Sequence, residues 1–112
     1  MFKLMVFVAR REGLTMEAFV EHYETRHVPL IARIAPAPAA YRRIFLTRES
    51  PLGRGVEGVD FDAITELWFA DRPAYRDWMT AISVDEVRRD EAQFMDQART
   101  RAFVIKTRGD AP

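Results

Sequence analysis

Apolar residues recur along this chain with two periods, and the switches between them outline its elements. FKLMVFVA (2–9) is short, apolar and closed by Arg10-Arg11-Glu12-Gly13. Its length and its β-branched and aromatic content predict a strand. Met16, Phe19, Val20, Tyr23 and His27 then follow at i, i+3, i+4, i+7 and i+11, one stripe of a helix with Thr15 as its N-cap. Pro29 disfavours helical geometry at Val28, so the regular helix is expected to end or bend near His27. Pro36-Ala37-Pro38 marks a turn.

AYRRIFLT (40–47) predicts a second strand, with Tyr41, Arg43 and Phe45 on one face and Arg42, Ile44 and Leu46 on the other. Residues 49–60, ESPLGRGVEGVD, hold a proline, three glycines and no apolar period. They are expected to form a long mobile loop of the kind that serves as a lid or binding loop. DFDAITELWFA (60–70) alternates most clearly: Ala63, Thr65, Leu67 and Phe69 share one face, and Asp62, Ile64, Glu66 and Trp68 the other. Asp71 can cap the next helix with Pro73 in its first turn, and Tyr75, Trp78, Met79 and Ile82 form its stripe. Ser83 to Glu86 fits a capping box that opens a short helix to about Met95. RAFVIKT (101–107) predicts the last strand.

The order β-α-β, long loop, β-α-α-β is the split βαβ pattern of an α+β, ferredoxin-like sandwich with a four-stranded antiparallel sheet. One domain over 1–108 and a tail over 109–112 are expected. In such a fold helices cover one sheet face, yet these strands carry large apolar groups on both. An antiparallel sheet with one wet face should alternate apolar and polar. The second face therefore needs a cover, and a homodimer packed sheet to sheet supplies it.

Length and charge narrow the function. The 112 residues suffice for one core, and 17 basic residues balance 17 acidic ones, which leaves no field to gather nucleic acid or an anionic membrane. Without cysteine there is no disulfide, thiolate nucleophile or Cys-based metal site. No apolar run approaches a membrane span or a signal-peptide core, so the expected location is cytoplasmic. No HExxH or similar ligand cluster appears, and no metal is expected. GRGVEG (53–58) lacks the strand-to-helix context of a phosphate loop.

Three stretches resemble one family. FKLMVFVARREGLTMEAFVEHYETRHVPL is similar to the opening of EthD-domain proteins, with Tyr23, His27, Pro29 and Leu30 in its Tyr/Trp-x-x-x-His-x-Pro-Leu ending. DAITELWFADRPAYRDWM resembles the family's third strand and following helix, and DEAQFMDQARTRAFVI its last segment. The resemblance covers almost the whole chain. It implies the dimeric α+β barrel superfamily and small pockets between helices and sheet. The superfamily includes polyketide cyclases, lactone isomerases, cofactor-free monooxygenases and heme-handling enzymes, so the resemblance implies a class of pocket rather than a reaction.

His27 can exchange protons near neutral pH and is the candidate acid or base; the alternative is a histidine that satisfies helix carbonyls. Tyr23, one turn earlier on the same face, can hold a substrate oxygen or serve as a core aromatic. Glu66 is a candidate proton carrier, or else an ion-pair partner, with Arg43 as its candidate cation. Asp96 is a candidate orienting carboxylate for His27, or else a turn aspartate. His22, off the stripe and five residues from His27, is expected to be exposed and badly spaced for chelation. Tyr41, Arg43, Phe45, Leu67 and Trp68 are candidate substrate-binding residues. The function this supports is a small cofactor-independent lyase, isomerase or cyclase acting on a hydrophobic, carbonyl-bearing ring compound, a polyketide or aromatic-degradation intermediate. The alternatives are a non-catalytic dimeric ligand-binding or oxygenase-accessory module, and a cofactor-free monooxygenase.

Overall fold

The computed structural model describes residues 1–54 and 57–109. Strand β1 (Phe2–Val8) leads into helix α1 (Met16–His22), a π-helical turn (Tyr23–His27) and helix α2 (Val28–Ile34). Strands β2 (Ala40–Phe45) and β3 (Ala63–Phe69) follow, then helices α3 (Arg72–Ile82) and α4 (Asp85–Phe94) and strand β4 (Arg101–Ile105). The sheet is antiparallel throughout in the order β2-β3-β1-β4. This is the ferredoxin-like α+β architecture.

The alternation in β3 settles its faces. Ala63, Thr65, Leu67 and Phe69 are buried beneath the helices, while Ile64, Glu66 and Trp68 are half-buried on the open side. Register carries the division across the sheet. Tyr41 lies opposite Leu67, Arg43 opposite Thr65 and Phe45 opposite Ala63, so these β2 residues lie on the helix side. The candidate substrate-binding residues therefore do not form one wall: Tyr41, Arg43, Phe45 and Leu67 lie under the helices, and Trp68 lies on the other face.

Local signals set several boundaries. The Thr15 hydroxyl accepts from the Ala18 amide at 3.1 Å, and the Asp71 carboxylate from the Ala74 amide at 2.9 Å. The capping box at Ser83 does not form. Ser83 instead donates back to the Met79 carbonyl at 2.6 Å, and α4 starts after Val84 without a side-chain cap. Met79 is exposed rather than part of the buried stripe.

Pro29 does not end the first helix. A proline inside an α-helix has no N–H and its ring presses on the carbonyl four residues back. The backbone answers by widening: Val28 N–H bonds the Tyr23 carbonyl five residues away, and helical geometry continues to Ile34.

The segment after β2 is tied at its base. Arg48, at φ 65°, donates to the Phe61 carbonyl at 2.7 Å and the Asp62 carboxylate at 2.8 Å. Burial alone would raise the Asp62 carboxyl, but Arg48 and the Arg10 backbone and side chain hold it below its usual value. Part of the expected loop, Gly55 and Val56, lies outside the described residues, as do Asp110 to Pro112 of the tail.

Candidate functional site

The π-helical turn sits on β2 and β3 with α4 beside it, and most of the candidate chemistry gathers there. Tyr23, Glu24 and His27 all come from this turn. The Tyr23 hydroxyl lies 2.5 Å from the hydroxyl of Thr65 on β3, and burial raises its titration above that of an ordinary phenol. Tyr41 stands close enough to act on Tyr23, and its own phenol is pushed far upward by burial and by that neighbour. Both remain protonated hydroxyls across the physiological range. Arg43 clasps Glu24 with Nε and Nη2, each at 2.8 Å, and its guanidinium lies 4.9 Å above the Tyr41 ring. That clasp holds the Glu24 carboxyl below its ordinary value. Glu66, the sequence-based partner of Arg43, faces the open side, 3.9 Å from Arg42.

His27 is buried against Phe94 and edge-on to Tyr23. Its Nδ1 lies 2.8 Å from Oδ2 of Asp90 on α4, not against helix carbonyls. Asp90 is a carboxylate acceptor, so Nδ1 carries the hydrogen and Nε2 is left with a free lone pair. The hydrogen bond of the ring among the described residues is the one at Nδ1. Burial lowers the titration of the ring below 6.5, with Asp90 acting in the opposite sense. The ring is therefore neutral at pH 7.

Asp96 is not the orienting carboxylate. It bonds Arg99 Nε at 2.8 Å and the amides of Ala98 and Arg99, a turn that leads into β4. The Arg99 bond lowers its titration. Sequence reasoning missed Asp90, and a signal for it existed. Val87 and Phe94 are the buried residues of α4, and Asp90 falls between them at i+3 from one and i−4 from the other. A carboxylate on a buried stripe calls for a partner. Thr65, on the buried face of β3, was the other silent participant. His22 is not fully exposed either; its Nε2 lies 2.8 Å from Asp90 Oδ1.

Among the described residues, surface clefts of about 310–400 Å³ include five that have neither His27 nor Tyr23 in their lining. A cleft of about 390 Å³ is lined by Leu46 to Pro51, Arg54 and Val59 and reaches Phe45. The Phe45 ring lies 5.8 Å from that of Tyr23, so one side chain separates this cleft from the polar cluster. Another, of about 370 Å³, lies on the open sheet face among Phe7, Phe61, Phe103 and Arg101. Among the described residues no group of three or more ligating side chains is arranged to hold a metal ion, and no helix is long and apolar enough to cross a membrane.

The fold and this helix–sheet cluster define a ferredoxin-like α+β domain, and solved structures of that class match it along nearly their whole length. An EthD-family protein from Bacillus halodurans is 19% identical, with 96% of this chain and 100% of that chain covered at a TM-score of 0.63. An Arabidopsis thaliana protein is 12% identical, with 100% of both chains covered at 0.68. A dimeric ferredoxin-like protein of unknown function from Thermobifida fusca is 14% identical, with 95% of this chain and 90% of that chain covered at 0.57. At these identities the likeness is one of fold. No curated protein matches the chain. The EthD domain matches residues 11–98, from the basic turn after β1 to the turn before β4, and the chain belongs to the EthD-domain family.

Proposed function

We propose that this chain is a small acid–base enzyme of the lyase, isomerase or cyclase kind, acting on a hydrophobic, carbonyl-bearing ring compound. The observation that carries this reading is the 2.8 Å bond between His27 Nδ1 and Asp90, which presents a neutral imidazole with Nε2 free to accept a proton. Nε2 takes a hydrogen from the carbon beside the substrate carbonyl, and the C–H electron pair moves into an enolate. The imidazolium then returns the proton to a different carbon, or to a hydroxyl that leaves as water. Tyr23, kept protonated by burial, donates to the developing oxyanion in exchange for its bond to Thr65. Such chemistry uses only proton transfers and calls for no cofactor.

Substrate enters from the cleft lined by Leu46, Arg48, Pro51 and Val59 when Phe45 turns aside. Tyr41 stands beside Tyr23, and the Arg43–Glu24 clasp closes the edge. Glu66, Trp68 and Asp96 have no part in this scheme.

Deuterium exchange at the α-carbon of mono- and bicyclic aryl ketones, followed by NMR in D₂O, tests it without knowledge of the pathway. The wild type is expected to accelerate exchange, and His27→Gln to lose roughly 100- to 10,000-fold of that acceleration. Equal exchange by the two proteins would remove His27 from the chemistry.

A second reading has its own observation. The open sheet face carries Met5, Phe7, Ile64, Trp68 and Phe103, with Phe103 55% exposed. On this reading a second copy covers that face and a small apolar ligand sits in the Phe7–Phe61–Phe103 cleft without being turned over. The fold neighbour from Thermobifida fusca is itself described as dimeric. Sedimentation at micromolar concentration tests the dimer common to both readings; a monomeric mass refutes it.

A further inference from the structure

His22 and His27 are five residues apart, which on an α-helix turns them about 140° away from each other. The π-helical turn between them uses i→i+5 bonding and brings both rings to one side. There they meet one carboxylate. His22 Nε2 lies 2.8 Å from Asp90 Oδ1, and His27 Nδ1 lies 2.8 Å from Oδ2. Phe94, fully buried, backs both rings, with its centroid 4.8 Å from His22 and 5.1 Å from His27. The side chains differ in depth: His22 is 17% exposed and His27 8%.

We infer that His22 is a positioning residue for His27, holding the second oxygen of Asp90 so that the first is fixed on Nδ1–H and Nε2 points away as the acceptor. The functional weight of this inference rests on His27 being the proton carrier; its geometry does not. A carboxylate held at one oxygen can swing off Nδ1–H, and an imidazole that loses its acceptor populates both tautomers. A carboxylate held at both oxygens cannot. The widened turn thus does more than accommodate Pro29, because a regular helix through residue 27 would turn the two histidines about 140° apart, too far for both to meet Asp90.

The arm also sets basicity. Burial is the largest influence on His27, Asp90 opposes it, and the charge of a protonated His22 lowers the titration further. On its own turn, Tyr23 meets the ring edge-on and Glu24 acts on Tyr23; from the other packed elements, Glu91 lies next to Asp90 on α4, and Tyr41 and Arg43 of β2 act on Tyr23.

Long-range ¹H–¹⁵N spectra of the full chain, titrated from about pH 5 to 8 across the histidine range, decide the matter. In the wild type His27 is expected as one tautomer, Nδ1–H. In His22→Ala it is expected to populate both, with its midpoint moved upward. In His22→Gln, whose amide can still donate to Asp90, the single tautomer returns while the midpoint stays raised. An unchanged His27 tautomer in His22→Ala overturns the inference. If circular dichroism shows that variant unfolded, His22→Leu, which fills similar space and cannot donate, takes its place: a single Nδ1–H tautomer there overturns it. The two readings separate cleanly, because loss of the enzymatic one, seen as equal ketone exchange in His27→Gln, leaves the tautomer result standing.

Discussion

At one end of the helix-covered sheet face, Leu4, Ile31, Leu67, Phe69, Trp78 and Val87 pack as an apolar cluster. At the other end, Val8, Phe19, Ala63, Phe94 and Met95 pack as tightly, but around Tyr23, with His27 and Thr65 buried beside them. The same sheet, with the same alternation, supports both. The difference arises in the helices. The first end is closed by α2 and α3, whose buried residues Ile31 and Trp78 are apolar. The second is closed by the π-helical turn and the face of α4 that carries Asp90. A buried polar group is tolerated when its hydrogen bonds are met, and here His27, Tyr23 and Thr65 each have a partner. Polar groups retained in a core that could have been apolar mark a candidate site.

The largest expected effects come from breaking each end at its centre. Phe94→Ala and Trp78→Ala should each cost about 3–5 kcal/mol in urea denaturation. Only the first should also move the His27 NMR titration, since Phe94 touches both histidines; a shift from Trp78→Ala would mean the two ends are coupled. Next comes Asp90→Asn, with a loss of about 1.5–3 kcal/mol from its charged hydrogen bonds. This variant should lower the His27 midpoint further, the opposite sign from His22→Ala. Tyr23→Phe should cost about 1–3 kcal/mol, because the buried Thr65 hydroxyl loses its partner.

The pH dependence has a definite sign. The folded His27 titrates below its unfolded value, so in that window the unfolded chain binds more protons. The His27 contribution to stability is complete above about pH 6.5 and is lost as pH falls toward the folded midpoint, by at most about 1.4 kcal/mol per pH unit. His27→Asn should flatten this part of the stability curve, and an unaltered curve would place the slope elsewhere. The smallest effect is Glu24→Gln. The ion pair is partly exposed and screened, so its loss should cost well under about 1 kcal/mol.

The sheet was legible in the sequence because its signal is local. The period-2 pattern of 60–70 places every β3 side chain on the correct face, and the Thr15 and Asp71 caps were visible as residue types. The site was only half legible. Tyr23 and His27 could be placed on one buried stripe, since eleven residues make about three α-helical turns. The π-helical turn could not be foreseen: Pro29 signals a conflict with helical geometry, and a break or a widened turn both resolve it. His22 was therefore placed on the wrong side. Asp90 was only faintly legible, since a carboxylate between Val87 and Phe94 reveals its meaning only when something polar lies opposite. The expected Arg43–Glu66 pair fails at the pleat: neighbouring strands present paired residues to the same face, and Arg43 stands opposite Thr65, not Glu66.

The most direct test of the central claim is the state of the His27 ring in the unmodified protein, read from its two ring nitrogens by long-range ¹H–¹⁵N correlation at pH 7. A neutral ring with hydrogen on Nδ1, and a midpoint below about 6.5 when titrated, is the expected result. Hydrogen on Nε2, or a ring still charged at pH 7, would contradict it.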